Sequence, residues 1–109
     1  MENNEKKEMK NVYDHFKKNY RVEWVPNEDF KCEGDLKYYE ESPCLIIYFS
    51  IKEQYAILAD VDECSLYKKV VRFGKEKWVS VTHNHPDGDF TEDGVEVIKA
   101  VDYLISKAN

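Results

Sequence analysis

Cysteine is scarce in this chain. Cys32, Cys44 and Cys64 are odd in number and show no C-x-x-C spacing. That argues against a disulfide scaffold and fits a reducing, cytoplasmic setting. With four glycines and three prolines, the chain is neither fibrous nor of low complexity. No run approaches the roughly 20 apolar residues that a membrane-spanning helix needs. The opening MENNEKKEMK has no apolar stretch behind its charges, so a secretion signal is not expected. Basic residues are outnumbered, 16 against 22 acids, and the net charge is −6. Such a surface repels phosphate backbones and anionic lipid, so neither nucleic acid nor membrane is expected as a partner.

What remains suffices for one core. The length of 109 residues fits a single domain spanning 1–109, and 42% apolar content is enough to fold it. From Glu5 to Tyr20 the residues Met9, Val12, Tyr13, Phe16 and Tyr20 recur at helical steps, which predicts an amphipathic helix. Residues 21 to 43, punctuated by Pro26, Gly34 and Pro43, read as loop with a short strand around Leu36 to Tyr39. CLIIYFSI (44–51) is an unbroken apolar run of β-formers, the mark of a strand covered on both faces. QYAILADV (54–61) reads as its hairpin partner, and LYKKVVRF (66–73) with KWVSVTH (77–83) makes a second hairpin around Gly74. Strict alternation in the last strand puts Val79, Val81 and His83 on one face and Trp78, Ser80 and Thr82 on the other.

A polar loop follows, then a final helix capped by Thr91 or Asp93, with a buried stripe of Val95, Ile98, Val101 (or Tyr103) and Ile105. The order predicts an α+β (α/β/α-like) domain: N-terminal helix, mostly antiparallel sheet of about four strands, C-terminal helix.

Two of only three histidines, His83 and His85, stand one residue apart where the last strand ends, and Pro86 stops it. Residues at i and i+2 of a strand project to one side. The helix beyond opens with Glu92, Asp93 and Glu96, while Asp87 and Asp89 read as turn formers. Two imidazoles and one helix-start carboxylate are the ligand set of a catalytic zinc (Zn2+) site with an open position for water. Bound there, water reaches a pKa of about 7, and a free carboxylate can act as its general base. His15 reads as a surface or packing residue, and the cysteines as small core side chains.

THNHPDGDFTEDGVE resembles the signature of the JAMM (JAB, MPN+) metallopeptidases, nearest the HNHPSGD wording of the bacterial RadC-like branch. The resemblance covers about residues 39 to 107. It implies a JAMM/cytidine-deaminase-like core, with zinc held by His83, His85 and a helix acid. In the family register Asp93 stands where members carry a serine, and Glu96 where they carry the metal-binding Asp; either could supply the third ligand. Glu41, or failing it Glu40, matches the catalytic base. The implied activity is zinc-dependent cleavage of a peptide or isopeptide amide in a protein substrate, such as a ubiquitin-like conjugate. The alternative is a catalytically inactive JAMM-like domain that binds a protein or a small ligand.

Overall fold

Apolar side chains at helical spacing in the first 17 residues need a surface to cover, and the central strands provide it. The computed structural model describes residues 2–25, 43–86 and 93–108. Helix α1, Glu2–Lys17, buries Met9, Val12 and Phe16 completely. It stops three residues earlier than its periodicity predicts. The amides of Asn19 and Tyr20 fold back onto the Phe16 carbonyl, at 3.1 and 2.9 Å, which closes the last turn and frees the chain to become a strand. Tyr20 still packs beside Phe16 and Phe49.

The strands are β1 (Arg21–Trp24), β2 (Leu45–Phe49), β3 (Tyr55–Ala59), β4 (Cys64–Arg72) and β5 (Lys75–Asn84). They form one antiparallel meander in the order β1-β2-β3-β4-β5. The sequence reading had about four strands and missed β1. The expected strand around Leu36 to Tyr39 lies outside the described residues. All five residues of β2 are buried, as its unbroken apolar run predicts.

One face carries Leu45, Ile47, Phe49, Ile57, Ala59, Cys64 and Leu66 against α1 and the second helix, α2 (Val95–Ala108). The other carries Cys44, Ile46, Tyr48, Ala56, Leu58, Tyr67 and Trp78. Each fully buried Leu or Ile contributes roughly 1.5–3 kcal/mol. Among the described residues no helix is long and apolar enough to cross a membrane. Cys44 and Cys64 are buried free thiols, as expected of core residues; Cys32 lies outside the described residues.

Two local departures shape the site. First, α2 buries Val97, Ala100, Val101, Leu104 and Ile105, while Val95 and Tyr103 are 42% and 49% exposed, so the stripe is rotated from the one predicted. Gly94 sets that phase. Its φ is +73°, and a Cβ there would lie 2.7 Å from Val12 Cγ2 and 2.9 Å from the Glu8 carbonyl oxygen. Glycine is what lets the start of α2 press against α1. Second, β5 carries a bulge. Thr82 pairs with Leu66 but Ser80 pairs with Tyr67, which leaves Val81 as the extra residue. Beyond it the alternation reverses, so His83 shares a face with Ser80 and Trp78, not with Val79.

Candidate functional site

The end of the sheet where β3 stops, β4 begins and β5 finishes carries His83 and His85, with Glu96 of α2 beside His85. The turn between β3 and β4 is tied by Asp60. Its Oδ1 accepts from the amides of Asp62 and Glu63 at 2.8 and 2.7 Å, and its own amide donates to the Glu63 carbonyl at 3.0 Å. Burial pushes the Asp60 carboxyl up, and the two amide bonds partly offset it.

His83 sits beside that turn. Its Nδ1 is 2.7 Å from Ser65 Oγ and 3.2 Å from Glu63 Oε1. Serine, histidine and carboxylate together invite comparison with a nucleophilic triad, but the geometry does not fit. In a triad the acid holds Nδ1 while the nucleophile meets Nε2. Here both partners share Nδ1, and Ser65 is 1% exposed.

His85 has different surroundings. Its Nδ1 lies 3.3 Å from the Asp62 carbonyl oxygen, and the ring lines a cleft of about 270 Å³ with Asn84, Glu96, Lys99, Ala100 and Tyr103. Asn84 donates from Nδ2 to the Ala100 carbonyl at 3.3 Å, joining the end of β5 to α2. Glu96 meets Lys99 at 3.3 Å. Asp93 accepts from the Val95 amide at 3.1 Å, and the Gly94 carbonyl takes the first helical bond, from the Ile98 amide, at 2.9 Å.

The structure therefore brings His85 and Glu96 into one cleft. It places His83 against Ser65 and Glu63, and Asp93 at the start of α2. The Val81 bulge decides which face His83 takes, and the two imidazoles meet different partners because His85 lies past the last ladder pair, Cys64–Asn84. Among the described residues no group of three or more His, Cys, Asp and Glu side chains is arranged to hold a metal ion. Glu41 and Glu40, the expected bases, lie outside the described residues, as do Asp87, Asp89, Thr91 and Glu92.

One titratable residue escaped the sequence reading. Glu8 of α1 is 3% exposed, and its Oε2 has no hydrogen-bond partner among the described residues. Burial first, then the charges of Asp93, Glu5 and Asp62, raise its pKa to about 7. The signal was present in the helical period. Position 8 stands four residues before Val12 and eight before Phe16, on the flank of the buried stripe.

Comparison with known proteins found no matching family model, no matching curated protein and no matching solved structure.

Proposed function

We propose that this domain works by recognition and not by hydrolysis: a JAMM-like module that takes a polar group of a protein or peptide partner into the cleft beside His85. The observation behind this reading is the Val81 bulge. It turns His83 toward Ser65 and Glu63, away from the α2 side chains with which a zinc site would have to be built. The cleft suits a small polar group. At about 270 Å³ it is slightly below the usual range for small-molecule sites. His85, Glu96 and Lys99 offer charge and hydrogen-bonding groups beside the half-exposed Tyr103 ring.

The zinc hydrolase implied by the resemblance remains a second reading, because His85 and Glu96, two of its ligands, line the same cleft. In that reading they would hold the ion, which would supply an activated water.

Zinc per chain after dialysis, measured in the wild type, His83→Ala and His85→Ala, separates the two, together with assays on peptides and ubiquitin-like conjugates. Recognition predicts equal zinc in the wild type and His83→Ala, and no amide cleavage. Stoichiometric zinc lost in both variants, accompanied by cleavage in the wild type, would establish the hydrolase. Titration with a pool of random short peptides, followed by amide chemical shifts, tests the cleft directly. Shifts should concentrate at His85, Glu96, Lys99 and Tyr103, and an unperturbed cleft would refute its role.

A further inference from the structure

The β4–β5 hairpin has a net positive charge, whereas the rest of the chain is net negative. Residues 68–77, KKVVRFGKEK, hold five of the 16 basic residues and a single acid, Glu76. Ten residues thus carry +4 within a chain of net −6, which leaves −10 for everything else.

The register sorts these charges. Cross-strand partners share a face. The pairs Lys68–Val79, Val70–Lys77 and Arg72–Lys75 therefore set Lys68, Lys77, Arg72 and Lys75 on one face, with no carboxylate among them. Glu76 pairs with Val71 on the opposite face, where it meets Lys69 at 3.8 Å. The pairing of β3 with β4 ends at Tyr55–Lys68, so the hairpin runs on past its neighbour as a two-stranded arm.

The tip adds an unexplained aromatic. Phe73 and Gly74 have φ of 53° and 75°, the double positive φ of a tight hairpin turn, where Asn-Gly is the favoured pair. A phenylalanine there strains the backbone, and at 102% exposure its ring gains nothing from the fold.

We infer that this arm binds single-stranded nucleic acid, with phosphates along the Lys68, Lys77, Arg72 and Lys75 face and a base stacked on Phe73. Cationic tracks with exposed aromatics are how proteins hold single strands without sequence preference. The net charge argued against such a partner only as an average over the chain. Charges act over a Debye length of about 8 Å, and the arm carries its cations beyond β3. A duplex fits less well, because its second strand would be pressed toward the acidic body. An anionic membrane also fits less well. Lys68 stands about 16 Å behind the tip, at roughly 3.3 Å per residue, so a tip-first approach would leave it beyond the screening distance. A strand laid along the arm meets all four cations.

Fluorescence anisotropy with a labelled oligothymidylate of about 12 nucleotides, in low salt, tests this on the whole protein. Binding should weaken with salt with a log–log slope of about −2 to −3, as expected for up to four neutralised phosphates, and Arg72→Ala should make that slope shallower. Phe73→Asn is the decisive variant, since asparagine relieves the turn. It should keep or raise the melting temperature while weakening binding about 5- to 150-fold, the range for loss of one stacked base. No binding by the wild type would overturn the proposal, as would equal binding by Phe73→Asn and Arg72→Ala. Stronger binding to a duplex of the same length, or to phosphatidylserine vesicles, would overturn it in favour of those partners.

Discussion

Replacing Glu8 by glutamine should change stability in a way that depends on pH, because the wild-type carboxyl titrates differently in the folded and unfolded chain. Its pKa is raised from 4.5 to about 7, by burial first and then by Asp93, Glu5 and Asp62. An acid with a raised folded pKa binds its proton more tightly when folded. Below about 4.5 both states are protonated and the group does not oppose folding. As the pH rises from there through 7, the unfolded chain ionises freely while the folded one resists, so stability falls. A shift of that size corresponds to at most about 3 kcal/mol. Asp62 and Asp93 stand in water, which screens them and brings the expected loss to about 1–2 kcal/mol. Glutamine keeps the shape and cannot ionise. Urea unfolding followed by tryptophan fluorescence, from about pH 4.5 to 8, should show Glu8→Gln gaining on the wild type as pH rises. The gain should reach about 1–2 kcal/mol, or roughly 4–10 °C in Tm. An unpaired buried amide has its own cost, but that cost does not vary with pH. A difference between the two proteins that is flat across the range would refute the reasoning, whatever its sign.

Gly94→Ala and Gly74→Ala both place a side chain at positive φ, but only Gly94 faces neighbours at under 3 Å. Chemical denaturation should show a loss of about 1 kcal/mol at Gly74 and about 2–4 kcal/mol at Gly94. Trp78, 6% exposed and 5.9 Å from the Tyr48 ring, should cost about 3–5 kcal/mol when cut to alanine, by the same assay. In a Cys32→Ser background, burial that pushes both remaining thiols up should keep them silent to a thiol reagent near pH 8. Urea should then release two thiols per chain.

The sequence patterns that predicted the fold were those set by burial. LIIYF is apolar throughout because every residue of β2 is buried, and the hairpin around Gly74 announced itself by a turn glycine between two β-prone segments. β1 is only four residues long, RVEW, and its hold comes from pairing with β2 and from Trp24 stacking on Tyr13, neither of which leaves a local pattern. The phase of α2 follows from the tight contact of Gly94 with α1, which is a long-range fact. The bulge at Val81 is an event between strands. Nothing in VSVTHNH marks where the extra residue falls, so the face of His83 could not be read from that strand alone. His85 and Glu96, by contrast, line one cleft, and their nearness was legible because Pro86 and the helix start fix their neighbourhood. Glu8 was legible in principle, but a glutamate among lysines has the pattern of a solvated helix face.

The helix-facing side of the sheet draws its cover from the two extremes of the described chain. During synthesis β2, β3, β4 and β5 can each zip onto the strand just made, so the meander needs no distant partner. Yet the side lined by Ile47, Phe49, Ile57 and Leu66 receives Val97, Val101 and Leu104 only when α2 has left the ribosome. At about 5–20 residues per second, that face spends seconds half covered by α1 alone. A nascent chain stalled before Gly94 should therefore be the form that chaperones hold longest.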